Sequence, residues 1–148
     1  FARVVASFDA LPFADGSFDI AVFNASLHYA LDLEETLREA ARVIRRGGRI
    51  AVLDSPFYSR EGDGATMVAE KRRSGLERFG ARADTLLAPE FIEYLTLRRL
   101  AAASRACGIT WRRHRVRYPL WYELRPISAR LRRARRPSRF DLWEATIS

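Results

Sequence analysis

Two apolar runs separated by one amphipathic segment are the feature that most limits how this chain can fold. Residues 18–23 and 50–53 are mostly apolar on both faces, which is typical of strands covered on both sides. Between them, Asp32 is placed to cap a helix, and we predict that this helix ends at Gly47 and Gly48. A strand, a helix and a strand at this spacing predict a parallel βαβ unit and therefore an α/β fold.

The rest of the chain carries signals for further elements. Residues 57–90 are rich in glycine and charge around one predicted helix over 65–78, so we interpret this segment as an insertion that lies over the sheet. The other predicted elements are a strand end at 4–6, a helix over 97–107 capped by Thr96, a strand over 111–118, a basic helical turn or loop over 130–136 and a final strand over 140–147.

Composition narrows the class of protein. With 148 residues, of which 48% are hydrophobic and 30% charged, the chain is long enough for one globular domain. No apolar run is long enough to span a bilayer. Cys107 is the only cysteine, which excludes an internal disulfide and a cysteine-based metal site and favours a cytoplasmic location.

The net charge of +8 leaves two interpretations open. Lys71 is the only lysine, so nearly all the positive charge is arginine, a skew that favours compositional bias over selection for phosphate contact. Aromatic residues are nevertheless interleaved with arginines over residues 111–139, a pattern that can stack bases and hold phosphates. A nucleic-acid-binding or RNA-modifying domain is therefore the alternative to an enzyme that acts on small molecules.

Two blocks of sequence resemble one family. They are "DALPFADGSFDIAVFNASLHYALD" and "LREAARVIRRGGRIAVLD", which together span Asp9 to Asp54. In this order and spacing they resemble the class I S-adenosylmethionine-dependent methyltransferases, in particular the small-molecule branch called type 11. The resemblance implies a Rossmann-like sheet in the order third, second, first, fourth, fifth, seventh, sixth strand, with the last strand antiparallel.

Two parts of the family pattern are not found in this sequence. The family has a glycine-rich loop after its first strand and an acidic residue at the end of its second, and neither has a counterpart here. Because the chain also opens with Phe1, we expect the C-terminal part of a single methyltransferase domain, with residues 4–6 as the third strand and the first two strands missing. We expect the 148-residue chain alone not to bind the cofactor measurably, which keeps a non-catalytic remnant as a further alternative.

The resemblance also implies a set of site residues at the carboxyl ends of the strands. The cofactor S-adenosylmethionine would be contacted at its adenine end by Asp9, Ala10 and Leu11, and at its methionine end by Asn24, Ala25 and Ser26. His28 is the candidate catalytic base, and the candidates for the substrate side are His28, Asp54 and Tyr58. The alternatives that involve no ligand are an Asx turn at Asp9, an ordinary loop after the strand at residues 24–26, and a structural role for His28. The residues indicate no metal.

The function implied is methyl transfer from S-adenosylmethionine to a small-molecule acceptor, with residues 57–90 as a lid. The cofactor would carry the reactive chemistry, and the protein would align the nucleophile with the methyl group.

Overall fold

A four-stranded mixed sheet organises the computed structural model of the chain, which describes residues 3–80, 82–83 and 90–148. The strands are β1 (Phe18–Asn24), β2 (Ile44–Leu53), β5 (Trp111–His114) and β6 (Leu142–Thr146), and their order in the sheet is β1-β2-β6-β5. β1 and β2 are parallel, while β6 is antiparallel to both β2 and β5. This is the order expected for the fourth, fifth, seventh and sixth strands, which confirms the partial Rossmann-like sheet.

Helices and one small strand pair surround this sheet. The helices are α1 (Leu33–Val43), α2 (Glu61–Phe79), α3 (Leu97–Ala106), α4 (Leu120–Glu123) and α5 (Arg125–Leu131), and a 3-10 turn covers Leu27–Tyr29. A separate parallel pair is formed by β3 (Phe57–Tyr58) and β4 (Leu95–Thr96). The insertion predicted over 57–90 thus contains β3 and α2, while residues 81 and 84–89 of it lie outside the described part of the chain.

The core lies where α1 and α3 pack on the sheet. Leu37 of α1, Ile50 of β2 and Leu95 of β4 are fully buried in one cluster, which also includes Leu100 and Trp143. Both predicted caps are present, because the side chains of Asp32 and Thr96 accept hydrogen bonds from backbone amides in the first turns of α1 and α3.

The end of the first helix was predicted wrongly. α1 ends at Val43, and Gly47 and Gly48 lie inside β2. Phe18 pairs with Ile44 whereas Ile20 pairs with Arg49, so the residues between form a bulge opposite β1. Strand pairing prevails here because the Gly47 amide donates to Ile147 O at 2.7 Å, and Gly48 O accepts the Ile147 amide at 2.9 Å.

The predicted strand at residues 4–6 does not form. Residues 3–6 have no regular structure, and the Val5 side chain is fully exposed. β1 is consequently an edge strand in the described part of the chain, and Phe18, Ile20 and Val22 are between 39% and 52% exposed. A strand needs a neighbour to take up its backbone hydrogen bonds, and residues 3–6 have none.

Two further predicted strands are shorter in the structure. β5 stops at His114 instead of residue 118, because the amide of Val116 turns to donate to Oδ1 of Asp141 at 3.2 Å. β6 covers Leu142–Thr146 within the predicted 140–147, and the basic segment 130–136 holds the end of α5 and a loop. Over the described residues, no helix has the length and apolar character needed to cross a membrane.

Candidate functional site

Strained backbone marks the carboxyl ends of β1 and β2. Ala25 and Asp54, the residues directly after these strands, both have φ of 48°, and the Ala25 amide donates to Leu53 O at 2.9 Å. Glu93 has φ of 66°. Residues other than glycine adopt such angles at a cost and mostly where a site requires them.

Ala25, Asp54 and Glu93 all line one open pocket of about 410 Å³, which we name the strand-end pocket, whereas Arg133, which also has a positive φ, lies outside it. Its walls are Ala25, His28, Tyr29, Asp54, Pro56, Tyr58, Met67, Lys71, Glu93, Ser138 and Phe140. The structure therefore brings together four residues predicted for the site, namely Ala25, His28, Asp54 and Tyr58. Open α/β sheets bind their ligands at this edge.

His28 presents a nitrogen without a partner. Its Nδ1 atom is buried and makes no hydrogen bond with any of the described residues, and its ring packs on Tyr29 with centroids 4.2 Å apart. Burial lowers the pKa of His28, and the charge of Lys71 lowers it further, against a smaller opposite effect of Glu93. The imidazole is therefore neutral at pH 7 and can accept a proton at a ring nitrogen.

Lys71 and Glu93 connect α2 to this pocket. Lys71 Nζ lies 2.6 Å from Oε2 of Glu93, and the Glu93 amide donates to His28 O at 2.8 Å. Sequence reasoning missed both residues. The signal for Lys71 was its being the only lysine in the chain, whereas nothing in the sequence marks Glu93.

Tyr58 is held firmly in the wall of the pocket. Its hydroxyl accepts a hydrogen bond from Nη1 of Arg135 at 3.2 Å, and its ring meets Tyr94 edge to face at 5.9 Å. The side chain is buried, so it shapes the pocket mainly through its ring.

The loop around Asp9 forms a second, smaller cavity of about 240 Å³, the loop pocket. Phe8, Asp9, Tyr29 and Leu31 are among its walls, and Tyr29 lines both pockets. The Asp9 carboxylate is solvent-exposed and accepts a hydrogen bond from the Ser7 hydroxyl.

The neighbours of Asp9 are engaged within the protein. The Ala10 amide donates to Ser7 O at 3.3 Å, and the Leu11 amide donates to Oε1 of Glu39 at 2.7 Å. Neither Ala10 nor Leu11 lines the loop pocket, and Leu11 packs against the core. At the end of β1, Asn24 is exposed and Ser26 half-buried, and only their neighbour Ala25 reaches the strand-end pocket.

Glu39 and Arg42 of α1 hold this loop in place. Nη1 of Arg42 donates to Phe13 O at 2.8 Å, and its Nη2 to Leu11 O at 3.1 Å. The hydrogen bond from Arg42 lowers the pKa of Glu39 to about 2, helped by the bond from the Leu11 amide. Hydrogen bonds with the charged side chains of Glu39 and Arg42 thus hold the loop against α1.

These features fit S-adenosylmethionine. An exposed carboxylate between apolar walls matches an adenine ring with its amino group, and the strand-end pocket beside it offers small and polar walls. Among the described residues, no group of three or more histidine, cysteine, aspartate or glutamate side chains could hold a metal ion.

The arginine-rich segment 111–139 is partly neutralised within the protein. Nε of Arg113 lies 2.8 Å from Asp141, Nη1 of Arg139 lies 2.7 Å from Glu123, and Nε of Arg135 lies 2.6 Å from Glu70. These three guanidinium groups serve structural ion pairs, which reduces the charge that the segment offers to nucleic acid.

Comparison with known proteins also indicates a methyltransferase. The family model described as a methyltransferase domain matches residues 1–52. An uncharacterised protein of Methanocaldococcus jannaschii is 33% identical over 92 residues, which cover 62% of this chain and 42% of that protein. The ubiquinone/menaquinone biosynthesis C-methyltransferase of Hahella chejuensis is 45% identical over 51 residues, or 34% of this chain and 20% of that enzyme. The chain thus spans less than half the length of these curated relatives.

Solved structures share the fold over nearly the whole chain. Geranyl diphosphate C-methyltransferase from Streptomyces coelicolor, solved with Mg²⁺, geranyl diphosphate and S-adenosyl-L-homocysteine, superposes with a TM-score of 0.61 at 17% identity. The match covers 98% of this chain and 53% of that enzyme. At this identity the likeness concerns the fold alone.

Proposed function

We propose that this protein is a class I S-adenosylmethionine-dependent methyltransferase and transfers a methyl group from S-adenosylmethionine to a small-molecule acceptor, as the methyltransferase family model over residues 1–52 supports. The observation that carries the proposal is the pair of adjoining pockets at the carboxyl edge of the sheet, which share Tyr29 as a wall. One pocket contains an exposed carboxylate and the other an unpartnered imidazole nitrogen.

The loop pocket is the proposed adenine end of the site. The Asp9 carboxylate accepts a hydrogen bond from the amino group of the base, while Phe8 and Leu31 cover the ring. Ala10 and Leu11 support this end through the loop that α1 holds. At the end of β1, Asn24, Ala25 and Ser26 form the methionine side, where the small Ala25 leaves room beside the backbone.

The strand-end pocket is the proposed acceptor side. When bound, S-adenosylmethionine supplies an electrophilic methyl group, so the chain has only to position and, where needed, deprotonate the acceptor. His28 accepts the proton, because its neutral Nδ1 has no other partner. Asp54 and Tyr58, which line the same pocket, orient the acceptor.

We propose that α2 and its flanks, within residues 57–90, act as the lid of this pocket. Met67 and Lys71 of α2 lie in the pocket wall, so withdrawal of α2 would open the pocket to water and its closure would exclude water. A small-molecule acceptor is supported by the names of partial relatives, which include a methyltransferase of Streptomyces halstedii and the 27-O-demethylrifamycin SV methyltransferase of Amycolatopsis mediterranei. The single cysteine supports action in the cytoplasm.

The test is calorimetric titration of the protein, expressed from its complete reading frame, with S-adenosylmethionine. We expect Asp9→Asn to weaken binding by about 1–3 kcal/mol, since the adenine amino group would lose its charged acceptor. Asp19→Asn is the matched control, because Asp19 is an exposed aspartate that lines neither pocket and pairs with Arg45 rather than with Arg42, which holds the loop. Equal affinities of the two variants would remove Asp9 from the site.

The acceptor class has its own test. Protein incubated with methyl-labelled cofactor should label a small-molecule extract and not RNA, and His28→Ala should lower the rate while leaving cofactor affinity unchanged. Label that accumulates in RNA instead would replace this proposal with the RNA-modifying alternative.

A further inference from the structure

Residues 120–132 form one nearly continuous helical segment, which we name the outer helix. α4 and α5 meet at Leu124, whose backbone is itself helical, and the Leu124 amide donates to Leu120 O at 3.0 Å. The ladder continues from Ser128 N to Leu124 O at 3.1 Å and from Arg132 N to Ser128 O at 3.1 Å. Helical spacing therefore decides which of its side chains share a face.

Four apolar side chains form a single stripe along this helix. They are Leu120, Leu124, Ile127 and Leu131, at spacings of four, three and four residues, with Trp121 beside them. These five side chains are between 46% and 81% exposed, so the stripe faces solvent.

Side chains that lie off the stripe attach the outer helix to the protein. Tyr122 donates from its hydroxyl to Ser138 O at 3.4 Å and stacks on Tyr118 with centroids 4.2 Å apart. Glu123 accepts two hydrogen bonds from Arg139, at 2.7 and 3.0 Å. A helix on a globular protein ordinarily turns its apolar side inward, and this helix does the reverse. Its outward apolar stripe therefore has no partner within the described part of the chain.

The outer helix and the residues after it also carry positive charge. Arg125, Arg130, Arg132 and Arg133 are all exposed, and residues 124–140 contain no acidic residue. Exposed apolar and aromatic side chains on a helix flanked by arginines are the pattern of helices that lie in a membrane interface.

We propose that the outer helix docks the protein on the surface of an anionic lipid bilayer. Leu120, Trp121 and the other stripe residues enter the boundary between headgroups and acyl chains, while the flanking arginines contact lipid phosphates. The charge of the arginines complements an anionic surface, and the apolar stripe selects a lipid surface over other polyanions.

Nucleic acid fits this surface less well. Base stacking requires several free aromatic faces, whereas Tyr118 and Tyr122 stack on each other and Arg125 lies 4.6 Å above the Tyr122 ring, which leaves Trp121 as the exposed ring of the outer helix. Leu120 and Leu131, the most exposed members of the stripe, offer nothing to phosphates or base edges.

The proposal stands independently of the methyl-transfer chemistry, although the two sites are neighbours. Ser138, whose carbonyl receives the Tyr122 hydroxyl, also lines the strand-end pocket. Docking would thus bring that pocket close to the bilayer.

The first experiment measures cosedimentation of the protein with vesicles of equimolar phosphatidylcholine and phosphatidylglycerol, and with vesicles of phosphatidylcholine alone. We expect binding to the anionic vesicles, with a blue shift of tryptophan fluorescence, and weak binding to the neutral ones. The triple variant Leu120→Ser, Leu124→Ser, Leu131→Ser should lose at least about tenfold in affinity. Leu76→Ser, an exposed leucine of α2, is the matched control and should bind normally.

A second variant tests the charge by itself. This triple variant is Arg130→Gln, Arg132→Gln, Arg133→Gln. It should bind anionic vesicles at least about tenfold more weakly, and the binding that is left should no longer depend on salt. Arg72→Gln, Arg73→Gln changes exposed arginines of α2 and should have no effect. Circular dichroism checks that all variants keep the fold.

Three results would overturn the proposal. The first is failure of the unaltered protein to sediment with anionic vesicles. The second is binding of single-stranded RNA that is lost in the arginine variant and kept in the leucine variant, which would identify a nucleic-acid surface. The third is a lipid-independent dimer in sedimentation equilibrium that the leucine variant abolishes, which would identify the stripe as an interface between two copies.

Discussion

The unit β1–α1–β2 and the helix α2 are held in the molecule by different forces. In the first unit, Leu37, Ile50 and Val52 are fully buried and pack on one another in the core. In α2, only Gly64 is buried, and the rest of the helix lies half-buried or exposed. The first unit is a scaffold of apolar packing, whereas α2 is attached mainly through polar groups at its surface.

The polar contacts of α2 reach several parts of the chain. Glu61 accepts hydrogen bonds from Tyr94 at 3.1 Å and Thr96 at 2.6 Å, and other contacts join Asp63 to the Arg136 amide, Glu70 to Arg135 and Lys71 to Glu93. Such contacts contribute little individually and weaken in salt. Because the contacts that hold α2 are weaker than the apolar packing that fixes the strand ends, this contrast supports the lid proposed over the strand-end pocket.

The largest expected effect is a loss of folding stability when the core of the β1–α1–β2 unit is changed. Leu37→Ala removes a fully buried side chain of α1 and should lower the free energy of unfolding by about 2–5 kcal/mol. Leu76→Ala changes an exposed leucine of α2 and should cost less than about 0.5 kcal/mol. Urea denaturation of both variants measures the contrast, and equal losses would mean that the two regions do not differ as described.

The next effect concerns the packing of α2 against Tyr94. A Cβ on Gly64 would clash with ring atoms of Tyr94, whose hydroxyl is held by Glu61 and Arg99. Gly64→Ala should therefore destabilise the protein by about 1–3 kcal/mol. Gly62→Ala is the matched control, because nothing lies within 4 Å of the added carbon. It should stabilise the helix by about 0.5–1 kcal/mol, and thermal melts that order the two variants the other way would refute the contact.

A third prediction uses pH to test the polar attachment of the Asp9 loop to the scaffold. The folded-state pKa of Glu39 is lowered from 4.5 to about 2, so its stabilising effect is complete above pH 4.5 and is lost as pH falls toward 2. Glu39→Gln should lower stability at pH 7 by about 1 kcal/mol and flatten the decline between pH 4.5 and 2. Denaturant titrations at several pH values measure both, and an unchanged slope would show that Glu39 does not hold the loop.

The smallest expected effect lies on the outer side of α2. Glu70→Gln removes the 2.6 Å ion pair with Arg135 and should change stability by only about 0.2–1 kcal/mol at low salt, and less at high salt. The same change should raise protease cleavage within α2 if polar contacts hold the helix closed. Unaltered cleavage would assign the closure to other contacts.

Local signals predicted much of the scaffold. The apolar runs of β1 and β2 and the cap at Asp32 depend on side chains close in sequence, so the pattern alone was enough to place them. The position of Gly47 and Gly48 was misjudged, because a glycine pair after a helix serves equally well in a strand bulge. The bulge forms because Gly47 and Gly48 hydrogen-bond with Ile147, near the other end of the chain.

The candidate site was predicted only in part for a similar reason. Ala25, His28, Asp54 and Tyr58 follow strands, and strand ends meet at one sheet edge, so their grouping followed from the topology. Lys71 and Glu93 join them through contacts between segments 22 residues apart, for which a single sequence carries no periodic signal. The roles proposed for Asp9, Ala10 and Leu11 stay predictions.

By itself, the sequence determined the βαβ unit, the helix caps and the resemblance to methyltransferases, because each depends on spacing and side-chain type along a short stretch. Only the tertiary structure decided that residues 4–6 are not a strand, since strand formation requires a neighbour and none is present beside them in the described chain. It also decided that the stripe from Leu120 to Leu131 faces outward. An amphipathic pattern specifies which side chains share a face, whereas the contacts of Tyr122 and Glu123 determine where that face points.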